Sequence, residues 1–116
     1  PFLPHINDTM ENFSFLMKSC IQANVRGIIC FGIGLTLRNG NREYFYDALD
    51  AHFPGLSEKY RQEFKNNYVV TSRNNRKIMD FFYTTCRAHN ILCTPDECFS
   101  YLHHFPEEEP LQPELF

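Results

Sequence analysis

The sequence predicts an α/β chain of about two parallel strands and five helices, and three observations carry that reading. The run Ile28-Ile29-Cys30-Phe31 is apolar without alternation, the mark of a strand covered on both faces. A helical period precedes it, and the short stub Pro1 to Ile6 precedes that helix, so strand, helix and strand succeed one another as in a βαβ unit with a right-handed crossover. Four further segments downstream carry helix start and stop signals.

Taken in order, Pro1 to Ile6 reads as the end of a strand, with Pro4 terminating its pairing. Asp8 and Glu11 resemble a capping box. Phe13, Leu16, Met17, Cys20 and Ile21 then recur on one helical face, and this helix should end near Ala23-Asn24. Val25 to Gly34 is the complete strand. After Asn39-Gly40-Asn41 a second helix places Tyr44, Phe45, Ala48, Leu49 and His52 on one face, and Pro54-Gly55 stops it. A short helix from Ser57 to about Lys65 carries Tyr60 and Phe64. A linker over Asn66 to Ser72 holds a brief extended piece at Val69-Val70. A long helix from about Asn74 to His89 turns Ile78, Met79, Phe82 and Cys86 inward, with Asn90 as its C-cap. Thr94-Pro95-Asp96-Glu97 combines a Thr cap, Pro at the first position and Glu three residues on. That last helix should hold Cys98, Phe99 and Leu102 and end near His104.

The chain of 116 residues has a net charge of −3, 43% hydrophobic and 22% charged residues, the composition of a globular chain. No apolar run approaches the roughly 18 residues that span a bilayer. The odd number of cysteines, Cys20, Cys30, Cys86, Cys93 and Cys98, argues for reduced, largely buried thiols and a cytoplasmic protein. Between Lys59 and Lys77, Lys59, Arg61, Lys65, Arg73, Arg76 and Lys77 face Glu63 alone, a balance that admits an anionic partner such as nucleic acid. Solvated helix faces account for it more simply.

Candidate chemistry concentrates at strand ends. Gly32-Ile33-Gly34 follows a strand, but the third glycine of a dinucleotide fingerprint would fall at Leu37, so that motif fails. The glycines still allow a ligand to approach the backbone at the carboxyl end of a strand, where α/β folds place their sites. Asn7 and Asp8 would share that edge, Asp8 chiefly as a helix cap. Cys86, His89, Cys93, Cys98, His103 and His104 crowd together, yet their spacings match no zinc signature. The aromatic-rich middle, Tyr44 to Tyr68, reads as helix packing rather than base stacking. One strand and a stub do not close a sheet, so either the strand pairs with another molecule or the chain belongs to a larger α/β enzyme.

Pro1-Phe2-Leu3-Pro4-His5-Ile6-Asn7-Asp8-Thr9 with Glu11-Asn12 resembles the late-barrel strand and turn of radical S-adenosylmethionine proteins, in the spore photoproduct lyase-like (DNA repair photolyase-like) group. Gly27 through Arg38 resembles that group's next strand. Gly40 to Tyr46, Leu49-Asp50, His52 to Leu56, Lys59-Tyr60 and Cys98-Phe99-Ser100-Tyr101-Leu102 resemble the group's segments downstream of that strand, so the similarity runs nearly to Phe105. The resemblance implies a C-terminal fragment of a partial (βα)6 TIM-like barrel, with Pro1 a cut through a barrel strand. It implies a parent enzyme that binds a [4Fe-4S] cluster and S-adenosylmethionine and generates a 5′-deoxyadenosyl radical. Pro4, Asn7, Phe31, Gly32 and Gly34 would then lie near cofactor or substrate.

The family's C-x3-C-x2-C run is absent, so the chain is not expected to act alone. Its partners would be the upstream remainder of the barrel and, by the spore photoproduct relation, nucleic acid. Residues 1–38 would be the last βαβ portion of the barrel, 39–105 a helical extension and 106–116 an acidic, Pro-rich tail. The alternative is a non-catalytic helical module that completes its sheet by dimerising.

Overall fold

The structure, a computed structural model, describes residues 1–104. The expected tail over 106–116 lies outside them. Among the described residues the chain forms α1 (Met10–Gln22), β1 (Gly34–Thr36), α2 (Asn41–His52), α3 (Leu56–Phe64), β2 (Val69–Thr71), α4 (Asn75–Ala88) and α5 (Pro95–His103). The five helices fall within two residues of their expected bounds, because each has a local stop or start. At α5, Thr94 Oγ1 accepts the Glu97 amide at 3.2 Å and the Glu97 carboxylate accepts the Thr94 amide, with Pro95 at the first position. At the end of α4, Asn90 takes a left-handed conformation (φ 57°) one residue past the cap at His89.

The sheet differs from the expected one. Its two strands are antiparallel, with Gly34 opposite Thr71, Leu35 opposite Val70 and Thr36 opposite Val69. The chain is therefore not a parallel-stranded piece of a (βα)6 barrel, and no βαβ crossover forms among the described residues. The cause is local. Leu3 O accepts the amides of Ile6 and Asn7, each at 3.1 Å, so Pro1 to Ile6 turns instead of extending into a strand. His5 sits at φ 65°, which further excludes strand geometry. Without that neighbour, Ile28 to Phe31 joins no ladder among the described residues. Among the described residues it is flanked by one isolated parallel bridge, Gly27 to Leu92, while Ile28 and Cys30 pack on the apolar cluster between α1 and α4. The strand that does form uses β-branched Val69-Val70-Thr71, brought back antiparallel by the α2–α3 hairpin.

Two apolar clusters result. The first packs Phe13 and Met17 of α1 against Ile78, Phe82 and Cys86 of α4, with Ile33, Ile91 and Cys93. The second packs Leu37, Tyr46, Leu49, Tyr60, Phe64 and Val70. Two residues on the expected apolar stripes face out, Leu16 on α1 and Tyr44 on α2, and on α5 Phe99 and Leu102 are exposed while Cys98 is buried. On α2 Leu49 is buried as expected and Phe45 packs against the second cluster, while Tyr46, which lies off the expected face, is buried in place of Tyr44. No helix among the described residues is long and apolar enough to cross a membrane.

Between the clusters lies a polar knot. Asp8, expected to cap α1, does not do so; Thr9 Oγ1 takes that role, accepting the Asn12 amide at 3.1 Å. Asp8 is instead buried. It accepts a hydrogen bond from the Ser72 hydroxyl and, at 3.0 Å, from the His5 amide, while its own carbonyl accepts Asn74 Nδ2 at 2.9 Å. Asp8→Ala leaves a buried hydroxyl and amide without an acceptor. It is expected to lower unfolding free energy by about 2–3 kcal/mol, read from urea denaturation. A midpoint unchanged from the parent would show that water replaces the carboxylate.

Candidate functional site

A cleft of about 280 Å³ opens where the Ile28–Ile33 run meets the β1–β2 ladder. Phe31, Gly32 and Gly34 line one part of it, Thr36, Val69 and Thr71 another, and Asn75 stands at the start of α4. Ile33 anchors this corner. It is buried, its amide donates to Asn75 Oδ1 at 2.7 Å, and its carbonyl accepts the Ser72 amide at 2.8 Å. The residues on either side of that anchor are glycines. A Cβ on Gly34 would stand 2.1 Å from the Val70 carbonyl oxygen, so only glycine permits the ladder to close there. Phe31 projects from the rim, 83% exposed.

Three of the five site residues expected from sequence, Phe31, Gly32 and Gly34, thus meet in one cleft. Pro4 and Asn7 do not line it. Pro4 is fully buried and its carbonyl accepts the Tyr60 hydroxyl. The Asn7 side chain accepts the Leu3 amide and its carbonyl accepts Asn12 Nδ2 at 2.9 Å, so it shapes the turn before α1. Asn75 was not singled out from sequence. Its only sequence signal is its place at a helix start, and its partner, Ile33, lies 42 positions away.

A few ionisable groups are held by specific partners. His5 Nε2 lies 2.5 Å from Glu63 Oε2, with its ring edge-on to Tyr60. Burial, and then the nearby carboxylates Asp8 and Glu63, keep the Tyr60 phenol protonated well above the usual tyrosine range. At the surface, the hydrogen bond from Arg38 Nε, 3.0 Å away, lowers the Tyr68 pKa. The Glu97 carboxyl is held below its ordinary value by the Cys93 and Thr94 amides. Arg42 donates to the carbonyls of Leu37, Asn66 and Asn67, which fastens α2 to the chain leaving α3. The six bases from Lys59 to Lys77 divide between α3, its C-cap and the start of α4, and all are exposed.

The thiols test the implied iron–sulfur cluster. Cys86, Cys93 and Cys98 are buried and Cys20 and Cys30 half-buried. Among the described residues no three His, Cys, Asp or Glu side chains are grouped to hold a metal, so the cluster does not fit this chain, and neither does zinc at Cys86 to His104. Burial pushes the Cys86 thiol up to about 11, with the neighbouring thiols adding to it, and burial likewise raises Cys93. The unfolded chain releases the Cys86 proton near pH 9 while the folded one retains it. The stabilising contribution is therefore complete below pH 9 and is lost as pH rises from 9 through 11. In native protein at pH 8, Cys20 and Cys30 are expected to react with iodoacetamide while Cys86 and Cys93 stay unmodified, as peptide mass mapping would show. Equal labelling of all five would contradict the burial.

At the rim of the cleft Phe31 presents an open aromatic face and Gly32 leaves its backbone uncovered. No protein-family model matches the chain, and no curated protein or solved structure does so either.

Proposed function

We propose that this chain is the C-terminal segment of a cytoplasmic radical S-adenosylmethionine enzyme of the spore photoproduct lyase-like group. In this reading it presents the Phe31–Gly32–Gly34 cleft to cofactor or substrate and is inactive without the portion that carries the cluster. The observation that carries the reading is that this short run, to which the resemblance also points, borders one open cleft beside a pinned Ile33. When bound, S-adenosylmethionine with its cluster supplies hydrogen-atom abstraction. The residues of this chain stack against the nucleoside and exclude water from one side of it. The exposed bases of α3 and α4 admit a nucleic-acid substrate.

The test is the complete reading frame. A C-x3-C-x2-C run upstream of Pro1, stoichiometric iron and sulfide in its anaerobically purified product, and S-adenosylmethionine binding weakened in Phe31→Ala are expected. A frame without the three cysteines overturns the reading.

A further inference from the structure

Tyr46 organises a second cleft, of about 510 Å³, between α2 and α3. Its side chain is buried, 5% exposed, and it meets two guanidinium groups. The Arg61 guanidinium lies over the ring face, 4.5 Å from the centroid, and Arg42 Nη1 donates to the hydroxyl at 3.5 Å. Among the described residues that hydroxyl only accepts, and its own proton has no acceptor. Arg42 is committed elsewhere. It also donates to the carbonyls of Lys65, Asn66 and Asn67, which offsets the negative end of α3. Arg61 and Lys65 border the same cleft and are therefore not needed there; neither forms an ion pair among the described residues. Arg61 donates to one side chain, Ser57 Oγ, at 3.3 Å. Two carboxylates line the cleft as well. Glu43 accepts the Gly40 amide at 2.7 Å, which leaves Asp47 as the unengaged one.

We propose that this cleft binds a phosphate group. Two unpaired cations and an unused hydroxyl proton complement an anion with about two charges and three acceptor oxygens. Tyr46 holds the Arg61 guanidinium in place before the ligand arrives, so less order is lost on binding. The site shares no residue with the Phe31–Gly32–Gly34 cleft and does not rest on the radical-enzyme reading. The phosphate belongs either to a small phosphorylated molecule or to a nucleic-acid backbone, and two probes separate these sources.

Titration calorimetry of the 116-residue chain with pyrophosphate, and with a single-stranded oligonucleotide, tests it. Arg61→Gln and Lys65→Gln are each expected to weaken pyrophosphate binding about tenfold. Tyr46→Phe keeps the ring beneath Arg61 and is expected to weaken it about threefold. Asp47→Asn removes a like charge and is expected to tighten binding about threefold, a gain that a purely structural role would not produce. All four variants are expected to keep thermal midpoints within several degrees of the parent. Parallel changes in oligonucleotide affinity identify the nucleic-acid backbone as the source. Oligonucleotide binding that is absent, or indifferent to the four substitutions, identifies a small phosphorylated molecule. No binding of pyrophosphate at about 10 mM overturns the proposal. So does pyrophosphate binding that the four substitutions leave unchanged.

Discussion

Tyr60→Ala is expected to remove about 3–5 kcal/mol of folding stability, enough to unfold much of the protein at 25 °C. The side chain is fully buried, and its ring sits 5.3 Å from Phe64, 5.6 Å from Phe45 and 6.5 Å from Tyr46 by centroid. Truncation removes a large apolar volume at the centre of the second cluster and leaves a cavity that the rigid aromatic neighbours cannot fill. It also strips the Pro4 carbonyl of its donor. Tyr60→Phe separates these effects. It keeps the ring and is expected to cost about 1–2 kcal/mol, the penalty for a buried carbonyl left unpaired. Guanidinium titration followed by circular dichroism reads both. Equal losses for the two variants would show that the hydroxyl, not the ring, holds the cluster.

Gly34→Ala is expected to be nearly as damaging for a different reason. The added Cβ meets the Val70 carbonyl oxygen at 2.1 Å, and the atom in its way is backbone of the paired strand, which cannot rotate aside. Either β1 withdraws from β2 or the ladder buckles, and the loss is expected at about 3 kcal/mol, the upper part of the overpacking range. Gly40→Ala is the control. Gly40 also has a positive φ, 83°, but nothing lies within 4 Å of its missing Cβ. Its cost is conformational only, about 1 kcal/mol. A Gly34→Ala midpoint equal to that of Gly40→Ala would refute the close approach. Because Gly34 also borders the cleft, the variant is expected to lose ligand binding along with stability.

The helices were legible because their signals are local. The Thr94 capping box, the Pro54-Gly55 stop and the Ile78–Phe82–Cys86 stripe each lie within a few residues of the structure they determine. The sheet was not legible, because strand partners are chosen by tertiary structure. An unbroken apolar run such as Ile28–Phe31 implies cover on both faces without naming the cover, and the turn at Leu3–Asn7 removes the neighbour that the N-terminal stub would have offered. The same limit applies to the site. Gly32 and Gly34 announce close approach by composition alone, whereas Asn75 and Ser72 enter through contacts 42 and 64 positions apart that no spacing rule encodes. Pro4 and Asn7 were misplaced together, since both readings depended on the same missing strand.

The β1–β2 ladder has a consequence for how the chain folds. Its two strands are the neck of an insertion: everything from Leu37 to Tyr68, including α2, α3 and nearly all of the second cluster, is looped out between them, while α1 and α4 lie on either side. The looped-out block pairs two helices adjacent in sequence, α2 and α3, and is suited to form first. Once it does, it draws Gly34 and Thr71 together and shortens the effective tether between α1 and α4, which lowers the entropy of closing the larger core. Damage at the neck should therefore slow folding rather than merely speed unfolding, and the order of assembly runs from the inner block outward.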